Sequence, residues 1–217
     1  MLTLSTLMCK YSVMPANKKA RKQYHHGNLP AALIEAGLKL IERKGVRALT
    51  LREIGSRVGV SRMAAYRHFS DKDHLLAAIR EAGFAQFGDA LEAARSKAGK
   101  EFAPRLKAMA LAYVRFTTEH PAYFEVMFGW RDADEPSTAP SPAGARAFGI
   151  LEETIREGQQ KGDVRSGDSV VLARLVWAHV HGVSMLRLAP DLSPNGEGRR
   201  FVELCSEILQ KGLAPKR

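Results

Sequence analysis

Two short helices separated by three residues constrain this chain more than any other feature of it. Thr50-Leu51-Arg52-Glu53 has the S/T-x-x-E spacing of a capping box, so a helix opens at Leu51. Leu51, Ile54 and Val58 recur at i, i+3 and i+7, which gives that helix one apolar face. Gly59-Val60-Ser61 then interrupts it. Glycine suits a left-handed turn position, and a serine hydroxyl can cap the helix that follows, expected over Arg62–Phe69. Two short helices joined in this way form a helix-turn-helix, whose second helix enters the major groove of DNA. An αα-hairpin packed for structural reasons alone would share the same backbone outline.

Helical periodicity continues on both sides. Leu29–Lys44 places Leu33, Ala36, Leu40 and Ile41 on one face, with Asn28 as N-cap and Gly45 as the stop after Arg43-Lys44. Ser70-Asp71-Lys72-Asp73 reads as a further cap, with Asp73 placed to accept from the first turn of a long helix reaching Lys97. Other helices are expected over Phe102–Glu119, Ala122–Phe128, Ala143–Lys161, Asp168–Ala189 and Glu197–Lys211. Breaks fall at Gly99, His120-Pro121, Asp132–Pro142, Gly162–Gly167 and Pro190–Gly196. No segment alternates with period two for long enough to make a strand. The expected fold is all-α: an N-terminal three-helix helix-turn-helix domain over residues 28–75, then a larger C-terminal helical domain over residues 76–217. A basic arm without regular structure, residues 1–27, precedes them.

Charge separates the same two parts. The net charge is +10, from 33 Lys+Arg against 23 Asp+Glu. Residues 1–72 hold 14 basic and 4 acidic side chains, whereas residues 73–217 hold 19 of each. The whole excess therefore accompanies the helix-turn-helix and its leading arm, which points to an anionic partner for the first third of the chain. At 45% hydrophobic and 26% charged residues, the composition excludes collagen, disordered chains and coiled-coil arrays. Cys9 and Cys205 have neither metal nor redox spacing, so a reducing compartment is expected. Val170–Ala189 carries Arg174, His179, His181 and Arg187, which a spanning helix would not tolerate, and Met1–Met8 lacks a basic leader. A cytoplasmic protein that does not enter the membrane is expected. Met14 is a second candidate start, and residues 1–13 are expected to be disordered or outside the natural product.

The side chains of the second short helix suit DNA. Arg62 and Arg67 can reach base edges or phosphates, while Met63, Ala64 and Ala65 permit close approach and contact with a thymine methyl. Tyr66, His68 and Lys72 can bind phosphate oxygens, which set register without reading sequence. The run from Leu49 to Leu76, above all Tyr66-Arg67-His68-Phe69 with Lys72 three residues on, closely resembles the DNA-binding domain of TetR-family transcriptional regulators. The resemblance implies that Arg52, Arg62, Met63 and Arg67 approach bases. It also implies that Thr50, Tyr66, His68 and Lys72 anchor the backbone, with Ser61 on the same surface. Ala64-Ala65 stands where the family often has Thr-Leu, which bears on base preference rather than on DNA contact. The arm Lys18–Lys22 has the composition to enter a minor groove or to serve as a solubilising tail.

The second half concentrates aromatic residues. Of 9 Phe, 5 Tyr and 2 Trp, seven lie between Phe102 and Trp130. Aromatic stripes at helical spacing are usually core, yet this density also suits an apolar small-molecule cavity. Trp177 and His181, at i and i+4, share one helix face, whereas His179 points about 200° away from His181, so the two histidines share no metal. Trp177-Ala178-His179-Val180-His181-Gly182, with Glu119-His120-Pro121-Ala122-Tyr123-Phe124-Glu125-Val126-Met127-Phe128-Gly129, is similar to the C-terminal domain of a TetR subgroup known by its Trp-His-Gly motif. Tyr113, Phe116, Phe124, Met127, Trp177 and His181 are the expected effector contacts, and no metal or other cofactor is expected.

The last two helices carry apolar stripes at Ala173, Val176, Trp177, Val180, Ser184, Leu188, Phe201, Leu204, Cys205 and Ile208. They fit either packing within the chain or a four-helix interface with a second copy. A homodimer is expected, because one short recognition helix reads too few bases. The expected function is a dimeric repressor that leaves a palindromic double-stranded operator on binding a small, largely apolar effector. The alternative is an architectural or effector-independent DNA-binding protein. No Ser-His-Asp spacing, phosphate loop or metal cluster supports an enzyme.

Overall fold

The computed structural model describes residues 28–129, 141–188 and 198–215. The arm Lys18–Lys22, Trp130 and the breaks at residues 132–140 and 190–196 lie outside them. The described elements are α1 (Leu29–Lys44), a 3-10 turn (Val46–Ala48), α2 (Leu51–Val58), α3 (Arg62–Tyr66), α4 (Lys72–Lys97), α5 (Phe102–Glu119) and α6 (Pro121–Phe124). A π turn (Glu125–Gly129), α7 (Pro142–Lys161), α8 (Ser169–Leu188) and α9 (Gly198–Leu213) follow. Among the described residues there is no strand, and the fold is all-α.

Local chemistry starts and stops the helices. The Asn28 side chain accepts from the Ala31 amide, Thr50 from Glu53, and Ser61 from Ala64. The capping box is half formed, because the Glu53 carboxylate pairs with Arg57 instead of reaching back to Thr50. Gly59 ends α2 at φ +82°, where a Cβ would be strained. Its neighbour Val60 donates to the Gly55 carbonyl at 2.9 Å, closing the turn.

Three boundaries differ from expectation. α3 ends at Tyr66 instead of Phe69, because the His68 and Phe69 amides both converge on the Ala65 carbonyl at 3.1 Å and tighten the chain. That turn puts Phe69 into the core. The cap of α4 is Asp71 rather than Asp73. Asp71 is extended and its carboxylate accepts from the His74 amide at 2.7 Å, whereas Asp73 is already helical. The Ser70 hydroxyl, followed by that amide, holds the Asp71 carboxyl below its ordinary range, so the cap is charged. Finally, α6 stops at Phe124 and widens into a π turn, which buries Val126 and Met127 without continuing the α spacing.

α4 is the spine. Its first turns pack with α1 through the buried Leu75, Leu76 and Ile79, and its later turns pack with α5 and α7 through Phe84, Phe87 and Leu91. One buried cluster thus runs from α1 to α9, and residue 75, the expected end of the first domain, sits inside a continuous helix. Small residues permit the closest crossings. A Cβ on Gly55 would meet that of Ala65 at 3.4 Å where α2 crosses α3, and one on Gly83 would lie 2.8 Å from both Met127 Sδ and Tyr123 Cδ1. At the far end Arg95, 9% exposed, joins α4 to α7 through Glu153 (2.8 Å) and Glu157 (2.7 Å). Glu157 also pairs with Arg105 of α5, so two largely buried guanidinium groups meet partly exposed carboxylates where α4, α5 and α7 come together. Among the described helices α8 is long and apolar enough to cross a membrane, but here Leu172, Ala173, Val176 and Val180 face the core.

Candidate functional site

The helix-turn-helix presents one polar surface. Ala65 and Phe69 of the α3 segment are buried against the core, and Ser61, Arg62, Met63, Tyr66, Arg67 and His68 are exposed. Met63 is 69% exposed, which for a large apolar side chain at the start of a helix leaves it without an internal role. Thr50 and Arg52 are exposed at the start of α2, and Lys72 is half-buried at the start of α4. The nine predicted residues therefore come from the starts of α2 and α4, from α3 with its Ser61 cap, and from the turn after α3.

Polar groups on this surface keep capacity for a partner. Thr50 and Ser61 each use an oxygen as acceptor for a cap and retain a hydroxyl proton to donate. Among the described residues Arg52, Arg62, Arg67 and Lys72 have no ion-pair partner, whereas Arg57 nearby is paired. The Arg62 guanidinium lies 5.2 Å from the centroid of the Tyr66 ring, a cation–π distance that restrains its direction. Such a charged and exposed surface can bind phosphates and present arginine to base edges.

A partly open cavity lies among α4, α5, α7 and α8, with about 50 Å³ of space that the centre of a water molecule can occupy. Its wall is almost wholly apolar, with Phe84, Phe87, Met109, Tyr113, Phe148 and Trp177 its largest side chains. Of the six predicted effector contacts, Tyr113 and Trp177 line it and the other four stand behind or beside the wall. Phe116 meets Phe87 edge-on at 5.2 Å, and Phe124 and Phe128 pack against His181, tilted at 5.5 Å and edge-on at 4.9 Å. Met127 packs over the Gly83 position of α4. The wall residues of α4 and α7, such as Phe84 and Phe148, carry no sequence signal beyond ordinary apolar periodicity.

Among the described residues that line the cavity, only Tyr113 and Trp177 carry side-chain polar atoms, and His181 stands behind Tyr113. The Tyr113 hydroxyl is 2.8 Å from His181 Nδ1, and the Trp177 indole N–H donates to the same hydroxyl at 3.3 Å. Burial pushes the Tyr113 phenol well above its ordinary range and lowers His181 from its own, so both are uncharged near neutrality. As the helical spacing requires, Trp177 and His181 share a face and both touch the Phe128 ring. His179 points elsewhere, 3.0 Å from the Cys205 carbonyl of α9.

Known proteins bear on both parts of the chain. Residues 33–79 match the family described as bacterial regulatory proteins, tetR family, and residues 106–209 match the tetracyclin repressor-like C-terminal domain. An HTH-type transcriptional regulator of Mycobacterium tuberculosis, Rv1816, is 25% identical over 166 residues, which span 75% of this chain and 69% of that protein. A solved structure of a protein of unknown function from a Rhodococcus species is 31% identical, with a TM-score of 0.79 over 89% of this chain and 99% of that one. A solved SmeT–triclosan complex shares the fold at 24% identity, with a TM-score of 0.63 over 85% of this chain and 91% of that one. With the helix-turn-helix surface and the helical core both accounted for, the chain belongs to the TetR family of DNA-binding transcriptional regulators.

Proposed function

We propose that the protein is a homodimeric repressor that leaves a palindromic operator when a small, largely apolar effector enters the cavity. One observation carries this reading: α4 is a single helix that begins at the DNA-facing surface with Asp71 and Lys72 and lines the cavity with Phe84, Phe87 and Leu91. A ligand that displaces Phe84 or Phe87 acts on the element whose first turn is held to the recognition segment. The Asp71 cap, the His74 amide and the Phe69–His74 ring contact at 5.5 Å provide that hold. The effector then favours a state whose recognition helices no longer match the half-sites, and its binding is reciprocally coupled to DNA release. The solved SmeT–triclosan complex, which shares this fold, agrees with a small molecule binding to it.

In this reading Arg52, Arg62, Met63 and Arg67 approach bases, while Thr50, Ser61, Tyr66, His68 and Lys72 hold the backbone. α8 and α9 supply the dimer interface, supported by Leu175, Met185, Leu204 and Ile208, large apolar side chains left exposed on their outer faces. The protein works in the cytoplasm, where its DNA is. Selection of bound sites from random DNA tests the reading. A palindrome with half-sites about one helical turn or a multiple apart is expected. Recovery of unrelated sequences without dyad symmetry would overturn it in favour of an architectural DNA-binding role.

A further inference from the structure

We infer that the cavity selects an uncharged, mostly apolar molecule that carries one hydroxyl or N–H donor, which the Tyr113 oxygen accepts. This rests on the effector reading above and specifies its chemistry. Among the described residues that line the cavity, the Tyr113 hydroxyl and the Trp177 indole N–H are the only side-chain nitrogen or oxygen groups. No carboxylate, guanidinium or ammonium is part of the wall. Charged side chains near the wall turn away from the cavity: the Arg80 guanidinium lies 5.6 Å from the Phe84 centroid, the Glu81 carboxylate accepts from the Ala143 amide, and Arg146 pairs with Asp89. A charged ligand would lose its hydration there and find no counter-charge.

The direction of the hydrogen bond follows from donor accounting. His181 is neutral, so one of its ring nitrogens is bare. If Nδ1 carried the proton it would donate to the Tyr113 oxygen, as Trp177 already does, and the buried phenolic proton would have no acceptor in an apolar wall. With Nδ1 bare, Tyr113 donates to it at 2.8 Å and every donor between these two rings and Trp177 is used. The remaining hydrogen sits on His181 Nε2, in a half-buried ring. The Tyr113 oxygen then holds one long bond from Trp177, at 3.3 Å, and one open lone pair. That lone pair is a polar handle, and it accepts rather than donates. His181 acts as a positioning residue: the Phe124 ring lies tilted and the Phe128 ring edge-on against its imidazole, and they fix where Nδ1 stands.

Calorimetric titration of the full-length protein with naphthalene, 1-naphthol, 1-methoxynaphthalene, 1-naphthoate and 1-naphthylmethylamine at neutral pH separates these chemistries. Naphthol is expected to bind roughly three- to tenfold tighter than naphthalene, the gain of one net hydrogen bond. The methyl ether, which can only accept, gains nothing, and the two charged ligands bind more weakly than naphthalene. In Tyr113→Phe the ratio of naphthol to naphthalene affinity falls to about one. Naphthoate or the ammonium binding as tightly as naphthol, an equal gain for the ether, or an undiminished ratio in Tyr113→Phe would each overturn the inference. Naphthalene binding with no naphthol gain overturns it and leaves an apolar effector standing; failure of every uncharged ligand to bind overturns both. Naphthol binding with the predicted ratio but without loss of operator affinity would instead overturn the release step alone.

Discussion

Arg62 and Lys72 carry like charges on one surface, yet their settings differ. Arg62 is exposed at the first turn of α3 and restrained over Tyr66, so its forked guanidinium is directed before DNA arrives. Lys72 is half-buried at the first turn of α4, where its ammonium is a point charge with no fork to match a base edge. Arg62→Ala should therefore lower affinity for the selected operator more than for random DNA, by ~1–3 kcal/mol for a contact bidentate to guanine. Lys72→Ala should weaken both by similar factors and reduce the slope of log affinity against log salt by about one. Fluorescence anisotropy over a salt series reads both quantities. Equal losses of discrimination in the two variants would show that these residues do not divide the work in this way.

Elements in this molecule are held at their crossings by glycines whose role is space. Gly158 of α7 would place a Cβ 2.6 Å from Val164 Cγ2 and 2.7 Å from the Phe102 ring, two stiff neighbours that cannot swing aside. Gly149, on the same helix, would meet nothing within 4 Å. Alanine removes a backbone-entropy cost of about 1 kcal/mol in a helix interior, while overpacking typically costs about 1–3 kcal/mol. Gly158→Ala is expected to lower the thermal midpoint and Gly149→Ala to raise it, measured by circular dichroism on the two variants. If both raise it, the α5–α7 crossing is looser than its geometry requires. Gly83 has the same relation to Met127 and Tyr123, which places α6 and its π turn against the middle of α4. That contact lies between the Phe124–Phe128–His181 stack and the spine, so the π turn touches both the cavity's rear wall and the helix that leads to the DNA-facing surface.

At the scale of the whole molecule, the outer faces of α8 and α9 are apolar and exposed. Leu175 and Ile208 are each 58% exposed and Leu204 is 53%, on faces turned away from the core. Gly182 on α8 has open space above it, which allows a second backbone to come close. The paired substitution Leu204→Glu with Ile208→Glu places charge on this face without touching the core, and sedimentation of the variant should shift from dimer to monomer. Operator affinity should fall with it, because a lone recognition helix contacts one half-site. A variant that remains dimeric would assign the interface to another surface.

The helices and the exposed polar surface of the helix-turn-helix were legible in the sequence because their determinants are local. Asn28, Thr50 and Ser61 cap within three residues of themselves, and Leu51, Ile54 and Val58 define a face by spacing alone. Exposure of Arg62, Met63 and Tyr66 followed from the burial of Ala65 and Phe69 beside them. Where local signals competed, as between Asp71 and Asp73 or at the end of α6, the tertiary structure decided the boundary. The cavity was less legible still. Aromatic density pointed to Tyr113 and the i, i+4 spacing with His181 pointed to Trp177, but the cavity wall depends on where α4, α5, α7 and α8 cross. Those crossings are set by gaps between helices, such as the space over Gly83 that admits Met127 and Tyr123. Sequence alone thus determined what each helix is and which face it buries. Only the packed structure decided which buried side chains meet one another and which border empty space, because contact between distant elements depends on the angle and distance at which they pack.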